Sequence, residues 1–346
     1  MSSQATLTRP SVGDLPSIED LTIENLTRRE FISGALAAAL LIACGDDDDG
    51  RGEGSNETRS FEHLGGVSQI PIRPQRIVTI QDQNALLPLL ELSVRPIASA
   101  GVANEDGTFF FRRTEGFDTS GISFVGDYLE PDLELVTSQQ PDLIIGYRAH
   151  LEVYDQLSAI APTILLDVFD KPLDEALRAF ADAVGALDSW QELKDRYDEA
   201  VAQFIDDLPR PPEEITLSCI YVDPEANLIS PAQGYHSVNT TLIASRLARP
   251  AAETNLEPDT SYSFEQIAQH DADVMITAYF EDTPDADPVI QYLDDSAVFQ
   301  SLDVVQRGEF HPFNGNLLVG SSFEKMHANL DFLRSILIDR EVTFPD

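Results

Sequence analysis

Positive charge is scarce in this sequence. Lysine occurs only at Lys171, Lys194 and Lys325, and 22 Lys and Arg residues face 60 Asp and Glu, for a formal net charge of −38. Such a chain repels phosphate backbones, which argues against nucleic acid as a partner. Cysteine is rarer still: Cys44 and Cys219 are the only two, too few for a disulfide scaffold or a cysteine-rich zinc site. No apolar run reaches the roughly 20 residues of a membrane-spanning helix; the longest is Phe31 to Ala43. G-x-S-x-G, Walker, H-E-x-x-H and C-x-x-C patterns are missing as well, so the common enzyme signatures are not present. The histidines (His63, His150, His236, His270, His311, His327) are scattered without metal-ligand spacing. What is present is a folded chain: 346 residues with 42% apolar content suffice for two domains, each with its own core.

The amino terminus points to a destination. Arg28-Arg29 stands directly before the apolar stretch, and Leu41-Ile42-Ala43-Cys44 closes it with small residues and a cysteine. This resembles a twin-arginine export signal ending in a lipobox. Residues 1–43 are then a removable signal, Cys44 is the acylated residue, and 44–60, opening with the acidic run Asp46 to Asp49, is a flexible tether. Two or more acyl chains would hold the protein stably on a membrane. The acidic excess has two readings, a salt-adapted surface screened at high ionic strength or a GC-rich genome with selection for solubility.

Beyond the tether, short apolar runs alternate with helical stretches. Arg76 to Ile80, Arg95 to Ala100, Leu143 to Gly146 and Thr163 to Leu166 read as strands of one series, and Ile215 to Tyr221 and Val274 to Ala278 as strands of another. The class is α/β, with mostly parallel sheets. Trp190, Leu193, Tyr197, Val201, Phe204 and Leu208 form one apolar stripe, so a long helix joins the lobes, with Ser189 as its cap and Pro211-Pro212 as its stop. The boundaries are 61–187 for the first lobe, 188–209 for the helix and 210–346 for the second lobe. A repeat relates the lobes. Leu133-Glu134 precedes Pro141-Asp142 as Phe264-Glu265 precedes Ala272-Asp273, with eight residues from Glu to Asp both times. Each Glu falls in the first turn of a helix, where the dipole favours a carboxylate, and Ser263 and Gln266 have the capping-box pattern.

Glu91 to Ile97, Val125-Gly126, Glu130 to Glu134, Gln140 to Gly146 and Tyr154 to Thr163, joined in the second lobe by Ser263-Phe264-Glu265, Ala272-Asp273-Val274 and Asp294 to Gly308, resemble the substrate-binding lipoproteins of ABC importers for iron-siderophores. Ser93 stands where that family usually has a helix-ending Gly. The resemblance implies a monomer of two α/β lobes joined by one long helix, with the ligand cleft between lobes, no cofactor and no catalysis. It implies an ABC permease and its ATPase subunit as partners, a location at the outer face of the cytoplasmic membrane, and Glu134 and Glu265 as the carboxylates that dock on the permease.

Ligands of open α/β sheets sit beyond the carboxyl ends of the strands. That rule demotes Arg73 and Arg76 and nominates Tyr128, Tyr147, Arg148, His150, Tyr221 and Tyr279, with Arg112 and Arg113 from a Phe-rich loop. Arginine and tyrosine suit a ferric siderophore, above all an anionic catecholate. No residue is assigned to metal directly. Haem or cobalamin in the same cleft is the alternative, with His150 or Tyr147 as axial ligand to haem, and a lipid-anchored hydrolase is a remote one. Cys219 reads as buried packing.

Overall fold

Neighbouring residues in the central strands serve different cores. Ile77 and Ile145 face one apolar cluster while Val78 and Ile144 face another, and in the second half Ile276 and Met275 divide in the same way. This is the period of two of an extended chain, and it gives each sheet a packed layer on both faces. The computed structural model describes residues 57–345 apart from residues 170, 232–235, 255–259 and 282. Arg28, Arg29, Cys44 and nearly all of the tether lie outside the described residues.

An antiparallel hairpin, β1 (Thr58–His63) and β2 (Gly66–Pro71), comes first. It takes up Thr58, Arg59 and Ser60, which the sequence assigns to the tether. The first lobe follows with β3 (Ile77–Thr79), β4 (Ala98–Ala103), β5 (Phe109–Phe110), β6 (Ser123–Asp127), β7 (Leu143–Tyr147) and β8 (Thr163–Leu166). Strands β6, β4, β3, β7 and β8 pair in that order and run parallel, while the short β5 pairs antiparallel with β4. The second lobe holds β9 (Leu217–Asp223), β10 (Leu228–Pro231), β11 (Tyr262–Ser263), β12 (Val274–Tyr279) and β13 (Phe310–Asn314), ordered β11-β10-β9-β12-β13. Only β9, β12 and β13 are parallel there; β10 and β11 are antiparallel, so the second sheet is mixed.

The connecting helix spans Leu187–Asp207. Ala186, not Ser189, occupies its cap position without a side-chain bond. Its predicted stripe is the buried face: Tyr197 and Phe204 enter a cluster that also holds Phe180 of the first lobe and Phe323 and Met326 of the second. The last helix, Phe323–Leu337, packs beside it.

The Glu–Asp repeat divides into a structural half and a surface half. Asp142 accepts the backbone N–H groups of Gln75 at 2.7 Å and Arg76 at 2.9 Å, just before β3. Asp273 accepts that of Thr216 at 2.7 Å, just before β9. Each aspartate thus fixes the start of the neighbouring parallel strand, while Glu134 and Glu265 remain exposed. Glu134 lies in a helix (Leu133–Ser138) capped by Asp132. Glu265 opens a run of tighter helix, Phe264–His270, and Ser263 makes no side-chain capping bond there, so the capping box is not formed.

Pro88 sits in the first turn of Leu87–Glu91, where a π-helical turn, Asp82–Leu86, hands over to α-helix. Ser93 ends that helix in the left-handed region, φ 62°, and Val94 N–H reaches back to the Leu89 carbonyl at 2.8 Å, the geometry that glycine usually supplies. Glu91 crosses to the second lobe. Its carboxylate accepts the backbone N–H groups of Phe323 at 2.8 Å and Glu324 at 2.6 Å, capping the last helix.

Burial pushes the Glu91 carboxyl up to about 7, reinforced by the Glu324 charge and opposed by those two hydrogen bonds and by Arg196. A folded-state value above the ordinary 4.5 means that the folded protein holds this proton more tightly than the unfolded chain. The resulting stabilisation is complete below the ordinary value and lost as pH rises through about 7. Glu91→Gln removes that titration, so between about pH 5 and about pH 8 the wild type loses melting temperature relative to the variant. A constant difference across that range would contradict this role.

Candidate functional site

Parallel strands deliver side chains to one end of the sheet, and loops leaving their carboxyl ends make room for a ligand. In the first lobe Asp82 follows β3, Tyr128 follows β6, Tyr147 closes β7 with Arg148 after it, and Phe169 follows β8. Arg112 and Arg113 come from the loop after β5. These residues meet. Buried Asp82 accepts Arg112 backbone N–H and Nε at 2.9 Å each and Nη2 at 2.6 Å, and the same guanidinium lies 3.4 Å from the centre of the Tyr128 ring. Arg148 covers Phe169 at 4.6 Å and stands 4.0 Å from Asp167. Tyr147 packs on Phe169 with ring centres 6.5 Å apart, and Phe169 meets His236 of the second lobe edge-on.

Arg113 spans the lobes. Its backbone is left-handed, φ 64°; one Nη donates to the Asn316 side-chain oxygen, and the guanidinium sits 5.5 Å from the Phe280 ring. Asn316 is held in turn by the Phe280 carbonyl at 2.8 Å. The two adjacent arginines differ electrostatically. Burial works against the charge of Arg112, but the Asp82 carboxylate outweighs it and raises the pKa. Burial lowers that of Arg113, with Glu115 pulling the other way. Arg113 Nε is buried with no hydrogen-bond partner, and so is Nε2 of His236. Burial, with the charge of Arg148, pushes His236 down to about 4, so its imidazole is neutral at pH 7.

A model of the family described as periplasmic binding protein matches residues 122–310. The chain belongs to that family. Among its relatives, the protein named probable siderophore-binding lipoprotein YfiY of Bacillus subtilis is 30% identical over 171 residues, 48% of this chain and 51% of the relative. The Fe(3+)-citrate-binding protein YfmC of the same organism is 28% identical over 168 residues, 47% of this chain and 52% of the relative. The chain therefore matches about half the length of each of these relatives. Among solved structures, Staphylococcus aureus SirA complexed with staphyloferrin B superposes with a TM-score of 0.66 at 20% identity, covering 83% of this chain and all of the other. That likeness establishes the two-lobe fold of the family here.

Within this family frame, four of the nominated residues, Arg112, Tyr128, Tyr147 and Arg148, lie together at the carboxyl ends of the first-lobe strands, and Arg113 reaches across from them. His150 requires correction. It is fully buried; Nδ1 takes the Tyr147 backbone N–H at 3.4 Å and Nε2 bonds the Tyr128 carbonyl at 3.1 Å. Burial lowers its pKa, so a neutral imidazole fastens the two tyrosine segments together and has no nitrogen left for a ligand. Tyr221 lies within β9, paired with Ser230, instead of following the strand. Tyr279 closes β12 and packs on the outer core of its lobe; the next residue, Phe280, is the one that meets Arg113. Phe169, Phe280 and Asn316 were findable by the strand-end rule once β8, β12 and β13 are given their full lengths. Asp82, two residues past the first predicted strand, was open to the same rule, whereas His236, at the start of a helix, carried no such signal.

A serine and a histidine do meet elsewhere: His63 Nε2 is 2.9 Å from Ser68 Oγ. Backbone N–H groups of Gly65 and Leu165 both point at Nδ1, at 3.1 and 3.2 Å, which places the ring proton on Nε2. The imidazole is then a donor to Ser68, whose own hydroxyl donates to the Thr163 carbonyl at 2.8 Å, so this pair cannot act as nucleophile and base. Because Asp82 compensates a largely buried guanidinium, Asp82→Asn should lower stability by about 3 kcal/mol, measured by urea denaturation at neutral pH. A loss within the error of the measurement would show that Arg112 needs no counterion.

Proposed function

We propose that this protein is the extracytoplasmic substrate-binding component of an ABC importer, which captures a ferric siderophore between its lobes and delivers it to a membrane permease. The observation that carries this reading is Arg113: a half-buried guanidinium between the lobes, whose Nη donates to a neutral amide and whose Nε lacks any acceptor. An anion entering the cleft supplies the negative charge that this guanidinium lacks. Ferric siderophores are commonly anionic, bulky and partly planar, and the surrounding Arg112, Arg148, Tyr128, Tyr147, Phe169 and Phe280 offer charge and ring faces to such a ligand. A local cationic group is also what an anion needs against the field of a chain with formal net charge −38. The names of the relatives, siderophore-binding for YfiY and Fe(3+)-citrate-binding for YfmC, support the ligand class. Haem is the weaker reading, since both nitrogens of His150, one of its two candidate axial ligands, are engaged.

The remaining parts of the proposal follow the resemblance. Cys44 carries lipid that anchors the protein at the outer face of the cytoplasmic membrane after export directed by Arg28 and Arg29. Glu134 and Glu265 dock on the permease. Their exposure, beside aspartates that do the structural work of the repeat, supports a surface use.

Titration with ferric catecholate, ferric hydroxamate, ferric citrate and haem, followed by quenching of Trp190 and the tyrosines, should give saturation with one ferric chelate. Arg113→Met should then weaken binding at least tenfold, about 1.4 kcal/mol. Saturation by none of the four removes the siderophore assignment. Glu134→Lys or Glu265→Lys should abolish uptake by cells while leaving the affinity for that chelate unchanged. A parallel loss of affinity would place these glutamates in the binding site instead.

A further inference from the structure

A second concavity lies beside the arginine pair, outside the cluster described above. It encloses about 560 Å³ and is walled by Phe109, Phe110, Phe111 and Phe117, with Thr114 and Glu115 among its polar residues. That volume falls within the usual range for small-molecule pockets. Phe109 and Phe110 are each 45% exposed, two adjacent phenylalanines on a two-residue edge strand that leave apolar surface in water. Solvent exposure of this kind is costly, and it is relieved by an apolar occupant.

The chain path ties this cavity to the arginines. Phe111 and Thr114 belong to its wall, and the two residues between them are Arg112, turned to Asp82 and Tyr128, and Arg113, turned to Asn316 and Phe280. Glu115, also in the wall, lies 3.9 Å from Lys325 of the second lobe. The cavity therefore stands at the boundary between the lobes, on the same loop that supplies the cationic groups. Glu115 and the acidic surface disfavour a free anion inside it. Its occupant has its negative charge elsewhere.

We infer that this aromatic cavity holds an alkyl or aryl appendage of an anionic ligand whose charge rests on Arg113. The inference deepens the function proposed above, since that anion is the ferric chelate, and it selects chelates with an apolar arm over compact ones. Each methylene buried there strengthens binding about fourfold, so an octyl arm seated over half its length gains on the order of a hundredfold.

Two probes test this with the full chain: anilinonaphthalene sulfonate, an anion bearing aryl groups, and the ferric chelate that saturates the protein, with and without an octyl arm. Phe110→Ser changes a half-exposed side chain and should weaken both the sulfonate and the octyl chelate at least tenfold, leaving the parent chelate unchanged; Phe117→Ser should do the same. Arg113→Met should weaken all three. Equal affinities for the octyl and parent chelates, or sulfonate binding indifferent to both phenylalanine variants, would overturn the inference. If no ferric chelate binds while the sulfonate binds and is lost in the variants, the cavity assignment stands and the siderophore reading falls.

Discussion

Both lobes pack one face of their sheet into the same apolar cluster, and this shared core constrains everything else. Ile77 and Ile145 of the first sheet, Leu217 and Ile276 of the second, Tyr197 and Phe204 of the connecting helix and Leu330 and Leu333 of the last helix belong to it together. Burial at roughly 25 cal/mol per Å² rewards the contacts that cross between the lobes only while the lobes remain side by side. A wide opening would expose the cluster. The lobes are therefore held at one side by an apolar core and joined at the strand ends by polar and aromatic contacts, Arg113 to Asn316 and Phe169 to His236. The Glu91 carboxylate adds direction to this arrangement, because it satisfies the orphan N–H groups of a helix in the opposite lobe.

The same constraint explains where charge can be placed. A buried guanidinium needs a counterion or a ligand. Arg112 has its counterion in Asp82, fixed by three hydrogen bonds, and so serves as a rigid platform under Tyr128. Arg113, one residue on, turns the other way through a left-handed backbone and finds only a neutral amide and a ring. One residue builds the wall of the cleft and the next leaves it short of negative charge. Adjacent arginines in the sequence thus have unlike roles, which no spacing rule separates.

What could be seen in the sequence was what repeats with a physical period. Short continuous apolar runs marked β3, β7 and β12, the three-to-four-residue stripe marked the connecting helix to within two residues at its far end, and the non-glycine left-handed position at Ser93 followed from a pattern that usually has glycine there. The eight-residue Glu–Asp repeat was legible too, although only the packing reveals that Asp142 and Asp273 fix strand starts. The β1–β2 hairpin escaped notice because its alternation is short and mostly solvent-facing. His150 was misplaced for a different reason. Sequence position put it after a strand, but a tight helical turn folds its ring back under Tyr128 and Tyr147, and the direction of one side chain is not encoded in spacing. In the second lobe Phe280 was missed by one residue, since it and Tyr279 point to opposite sides of the strand end, while Asn316 and His236 follow segments that gave no nominated residue.

With the anionic ligand proposed above, so acidic a protein faces opposing demands at two ranges. Over the whole surface, like charge keeps the protein soluble and repels the ligand, and this part is screened within about 8 Å at physiological ionic strength. Inside the cleft, partial burial of Arg113 strips some of the water from its guanidinium, so an acceptor arriving there gains more than it would at the surface. Salt therefore weakens the repulsion more than the attraction. The arrangement also favours ligands that bring shape and apolar area as well as charge, because rings and alkyl groups are indifferent to the outer field. Seen this way, the phenylalanines beside the arginine pair and the scarcity of lysine belong to one design, in which a few buried, oriented guanidiniums replace a diffuse basic surface.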